Sequence, residues 1–127
     1  MCMSMHNPPK TYGDCIRACI AMLTDDDQVP HVFSDIIEPE KSWHQLRSYL
    51  ETKGKFLFLV GVECHKEMAE NNPDIPYMLI CGTATGNHAV ICLNGKVIHN
   101  PAYYPSEITG PPENSDEYVV GIIGDIV

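Results

Sequence analysis

Asn94-Gly95 stands between two short apolar runs, Ala89-Val90-Ile91-Cys92-Leu93 and Lys96-Val97-Ile98-His99, and constrains the chain more than any other pair. Both residues tolerate positive φ, which a two-residue hairpin turn demands, so the pair predicts two adjacent antiparallel strands. Three further runs extend the sheet. Pro76-Tyr77-Met78-Leu79-Ile80-Cys81 predicts one strand, and Tyr118 to Ile123 predicts the last. Lys55-Phe56-Leu57-Phe58-Leu59-Val60 reads as a buried strand from its length and aromatic content. A short helix or turn from about His65 to Glu70 separates it from the sequence that follows.

The first half of the chain reads differently. Pro8-Pro9 excludes a helix from residues 1–13. Asp14 is an N-cap type, and it predicts a helix from Cys15 to Leu23 that ends at Asp25-Asp26-Asp27. Val29-Pro30-His31-Val32-Phe33 predicts a turn or short helix packing back. Ser42 caps a second predicted helix, Trp43 to Lys53, closed by Gly54. Its Trp43, Leu46, Tyr49 and Leu50 recur at three- and four-residue steps, which makes one buried face. Helices ahead of an antiparallel sheet define an α+β fold, and 127 residues are expected to form one domain with its own core.

Charge narrows the partners. Seventeen acidic residues against eight basic ones give a formal charge of −9, and Arg17 and Arg47 are the only arginines. A phosphate backbone or an anionic membrane surface calls for clustered Lys and Arg, so neither nucleic acid nor membrane is an expected partner. No run reaches the ~20 apolar residues of a membrane span. The opening Met1-Cys2-Met3-Ser4-Met5-His6 has no basic segment and no long apolar run, so no secretory signal is expected. Of the six cysteines, Cys81 and Cys92 lie inside apolar runs, as buried free thiols do. A reducing, cytoplasmic compartment with free thiols follows as the expectation.

Cys15 is the residue with most chemical potential. At the first position of a helix, unpaired backbone N–H groups and the positive dipole end favour a thiolate. The same N–H groups can donate to an oxyanion on an attacked carbonyl. His88 leads the Ala89–Leu93 run after the loop Gly82-Thr83-Ala84-Thr85-Gly86-Asn87, where it is placed to serve as a general base. A third group must orient its ring, and His99 and Asn100 are the candidates. With a simple two-residue turn, residue 88 lies opposite 101, and alternation puts His99 on the His88 face. Asn100 then points away unless the chain bulges before Pro101, whose missing N–H interrupts a ladder.

The blocks Gly13-Asp14-Cys15-Ile16-Arg17-Ala18-Cys19-Ile20-Ala21-Met22-Leu23 and Asn87-His88-Ala89-Val90, with the hairpin and Asn100-Pro101, resemble the papain-like cysteine peptidase superfamily. The likeness is greatest to small bacterial and phage proteins similar to the bacteriocin double-glycine leader peptidases. It implies a papain-like fold with Cys15 as nucleophile, His88 as general base and Asn100 as orienter. Cell-wall endopeptidases of the same superfamily use a histidine third, which keeps His99 in play. Two positions depart from the pattern. The glutamine six residues before the cysteine is Pro9 here, with Asn7 or Thr11 as off-spacing substitutes, and residue 16 is Ile in place of glycine.

Other signals carry less chemistry. Cys19 lies one turn from Cys15 without forming a Cys-x-x-Cys motif, Cys64-His65 lacks partners at zinc spacing, and Asp25-Asp26-Asp27 lacks the glycine and terminal glutamate of a calcium loop. Met1-Cys2-Met3 with Met5-His6 offers soft copper ligands but reads as a frayed start. Tyr103-Tyr104-Pro105 could wall a substrate groove or pack a loop. The expected function is a cysteine-dependent hydrolase acting on a peptide or small-molecule amide, with no metal or organic cofactor. The alternative is an inactive papain-like fold that binds a ligand or partner.

Overall fold

The computed structural model describes residues 14–30, 32, 39–83, 86–101 and 107–126. The expectations for residues 1–13, for His31 and Phe33, and for Tyr103-Tyr104-Pro105 lie outside them. The fold is α+β. Helix α1 (Asp14–Thr24) and helix α2 (Pro39–Thr52) come first, then strand β1 (Lys55–Val62) and helix α3 (His65–Asn71). Strands β2 (Tyr77–Thr83), β3 (Gly86–Leu93), β4 (Lys96–His99), β5 (Ile108–Gly110) and β6 (Tyr118–Asp125) complete it. No helix among the described residues is long and apolar enough to cross a membrane.

The sheet runs β1-β6-β2-β3-β4, with β5 beside the end of β2, and every pairing is antiparallel. Alternation sorts its side chains into two layers. Met78, Ala89, Ile91 and Leu57 join Ile20, Leu46 and Leu50 under α1 and α2. Tyr77, Leu79, Cys81, Val90, Cys92 and Val120 form the opposite layer with Ala69 of α3. Each fully buried leucine contributes roughly 1.5–3 kcal/mol by leaving water. The predicted face of α2 is the one that packs, with Leu46 and Leu50 buried and Trp43 and Tyr49 half-buried against the same layer.

Local chemistry sets the boundaries. Thr24 donates its hydroxyl to Ile20 O at 2.7 Å as α1 ends, and Asp25 then takes a positive φ of 52°. Gly54, at φ 71°, closes α2 with its N–H on Glu51 O, the left-handed ending that glycine adopts without strain. Asn94 and Gly95 have φ of 52° and 83° between the paired Leu93 and Lys96, the expected two-residue turn.

Three expectations are corrected. Helix α2 begins at Pro39, before Ser42, because a proline costs nothing at a first position whose N–H has no helical partner. Ser42 is therefore no cap; it is buried within the helix and donates to Val32 O at 3.0 Å. Strand β1 is not buried on both faces. It is the rim of the sheet, with Phe56 46% and Phe58 55% exposed while Leu57 between them is buried. An aromatic run fits a half-covered rim strand as well as an interior one. Finally, β2 and β3 reach further than expected, pairing Gly82 with Asn87 and Thr83 with Gly86, so His88 lies within the ladder.

Candidate active site

His88 and Asn100 come together. His88 Nε2 lies 2.6 Å from Asn100 Oδ1. An amide oxygen only accepts, so Nε2 carries the proton and donates, which leaves the lone pair on Nδ1. The contact depends on an irregularity in the β3–β4 hairpin. Leu93 pairs with Lys96 and Cys92 with Val97, but Ile91 pairs with His99. Ile98 is the extra residue of a β-bulge, and beyond it every side chain of β4 changes face.

The bulge reverses the expectation drawn from simple register. His99, opposite Ile91, falls on the layer under α1 and is buried at 5% exposure. Asn100 falls with Val90 on the other layer, on the same side as His88. The structure thus separates His99 from the His88 ring and supplies Asn100 in its place. The chain does bulge ahead of Pro101, two residues earlier than that proline requires.

Cys15 occupies the first turn of α1 and is buried at 9% exposure. It shares the layer of Ala89 and Ile91, the residues that alternate with His88 and Val90. Cys81, the cross-strand partner of His88, belongs to the opposite layer from Cys15. Cys81 in turn approaches His88 O with its thiol at 3.6 Å.

The remaining thiols of this region are held protonated. Burial, then the neighbouring Cys15, Cys92 and Cys81, raises Cys19 well above the ordinary thiol value. Burial is also the main cause that lifts Cys81 to about 12 and Cys92 to about 11. Cys15, Cys19, Cys64, Cys81 and Cys92 are all free of disulfides, and only Cys64 among them is exposed. Among the described residues no three His, Cys, Asp or Glu side chains converge as metal ligands.

A second polar group pairs His65, which the sequence offers only as half of a zinc pair, with Tyr77. On the α3 side of the sheet, buried His65 places Nδ1 2.9 Å from Tyr77 Oη, and its ring stands edge-on to Tyr118 at 5.0 Å. His65, Asn100 and Val90 line a cavity of about 580 Å³ there. Twelve residues separate His65 from Tyr77, a distance at which no periodicity links them; only the pairing of α3 with the sheet does.

Comparison of the chain with protein-family models, with curated proteins and with solved structures gave no significant match.

Proposed function

We propose that this chain is a papain-like cysteine hydrolase acting on an amide bond, with Cys15 as nucleophile, His88 as general base and Asn100 as the residue that orients His88. The observation that carries the reading is the 2.6 Å contact between His88 Nε2 and Asn100 Oδ1. It holds the imidazole in the tautomer whose Nδ1 can accept a thiol proton. Because His88 and α1 belong to different layers of the sheet, the reaction requires the thiol to reach the imidazole around the end of the sheet and not across its face.

In the reaction, the Cys15 proton passes to His88 Nδ1 and the sulfur bonds to the acyl carbon. The C–N bond then breaks, the leaving amine takes the proton from His88, and a thioester remains. Water gives its proton to His88 and attacks that thioester, and release of the carboxylic acid returns the proton to sulfur. Backbone N–H groups of the first turn of α1 are the donors for the oxyanion.

The burial of Cys15 favours one other reading, a fold of this class that binds without turnover. Peptide-mapped alkylation by iodoacetamide near neutral pH separates the two. A catalytic Cys15 reacts faster than exposed Cys64 and loses that advantage in His88→Ala. A Cys15 that reacts more slowly than Cys64, or equally fast in His88→Ala, defeats the hydrolase reading.

A further inference from the structure

The cavity on the α3 side of the sheet is built for a ligand of its own. Its apolar wall includes Val90, Val97, Ile108 and the ring of Tyr118, and about 580 Å³ is ample for a small organic molecule. Three cation or donor groups also line it, His65, Lys66 and Lys96. The stem of Lys66 lies against Gly95, whose Cβ position is 3.2 Å from Lys66 Cγ, so the two lysines flank one turn. Neither ammonium has an acidic partner among the described residues, in a chain with twice as many acidic as basic side chains.

His65 is the decisive group, because it is buried at 7% exposure and only half satisfied. Across their 2.9 Å contact the Tyr77 hydroxyl can either donate to His65 Nδ1 or accept from it. In the tautomer that accepts from Tyr77, the proton of His65 sits on Nε2, for which no partner is found among the described residues, so an acceptor supplied by a ligand selects that form. A buried N–H donor without an acceptor is costly to leave unmade. Burial and then Lys66 hold the ring below the ordinary histidine value.

We propose that this cavity binds a small monocarboxylate with an apolar tail, the carboxylate accepting from His65 Nε2 and from the ammonium groups of Lys66 and Lys96. Glu107 is the one acidic side chain of the wall. Two lysines against it give the wall a net charge of +1 apart from His65, which matches a single carboxylate. The site stands apart from Cys15, although Asn100 also faces it, so its occupancy does not depend on the hydrolase reading.

Phenylbutyrate and its neutral counterpart phenylbutanol test this by titration of the full-length chain, followed by amide NMR shifts. The acid is expected to bind with saturable shifts at Val90, Gly95, Ile108 and Tyr118, about tenfold or more tighter than the alcohol. Lys66→Gln with Lys96→Gln, both at exposed positions, removes that advantage, and Cys15→Ala leaves binding unchanged. The proposal is overturned if the alcohol binds as tightly as the acid or if the shifts fall outside the cavity. Binding that survives the double lysine substitution, or that is lost in Cys15→Ala, overturns it equally.

Discussion

His99 and Asn100 are neighbours in the chain that serve opposite layers of the sheet. His99 pairs with Ile91 beneath α1, whereas Asn100 reaches back to the His88 ring at 2.6 Å. The two therefore separate cleanly by substitution. Asn100→Ala removes one hydrogen bond to the imidazole, worth about 1 kcal/mol, and should slow Cys15 alkylation roughly five- to tenfold. Adding His99→Asn to that variant does not restore the rate, because position 99 faces away. A full rescue by the double variant would show that the bulge is not what selects the orienting residue.

Thiol reactivity should divide along burial. In the native protein Cys64 is alkylated readily, while Cys19, Cys81 and Cys92 react only after denaturant is added, since burial keeps all three as thiols. Mass mapping of a time course measures this directly. Native-state labelling of Cys81 or Cys92 before Cys64 would contradict the layering of the sheet.

The pH dependence of stability should carry a contribution from His65. Its folded value lies below the ordinary 6.5, because burial and then Lys66 disfavour the charged form. The unfolded chain thus binds the extra proton first. The contribution is complete above 6.5 and is lost as pH falls through the folded value. Urea midpoints at about pH 7.5 and about pH 5.5 should differ, and the difference should shrink in His65→Gln.

Gly82 should not accept a side chain. A Cβ there would lie 2.6 Å from Pro111 O, a backbone atom, where β5 crosses the end of β2. Gly82→Ala is expected to cost about 1–3 kcal/mol in chemical denaturation, as overpacking does. Gly61→Ala meets only the Glu117 carboxylate at 3.4 Å and should change stability far less.

Tyr49 Oη donates to Asp26 Oδ2 at 2.6 Å and ties α2 to the turn after α1. The phenol is the main cause that lowers the Asp26 carboxyl, and its own ionisation is pushed up to about 12. Tyr49→Phe should return Asp26 towards 3.8, read by carboxyl-carbon NMR titration. The stability cost should stay below about 1 kcal/mol at this half-buried contact.

What the chain discloses in advance is what short range decides. Asn94-Gly95 gave its turn, and the spacing of Leu46 and Leu50 gave the packed face of α2. Phe56 and Phe58 were misread because an apolar run looks the same at a rim as inside; coverage by other elements decides, and that is not local. The extra residue Ile98 has no special chemistry, so the bulge that selects Asn100 over His99 is visible only once β4 is laid beside β3. The three-residue β5 was too short to leave a pattern, and its strand neighbour lies 25 or more positions earlier.

Strand β2 has a neighbour along both edges, β3 on one side and β6 with β5 on the other, whereas among the described residues β4 has only β3. Of the two rim strands, β1 is paired with β6 along eight residues and β4 with β3 along three, so fluctuations of the sheet should start at β4 and reach β2 last. The His88–Asn100 contact spans the boundary between β3 and that outermost strand. When β4 peels away, Asn100 departs with it while His88 stays anchored to Cys81. The orienting contact can thus be broken by a local opening that leaves both apolar layers intact, and amide exchange at Val97 should report how often that happens.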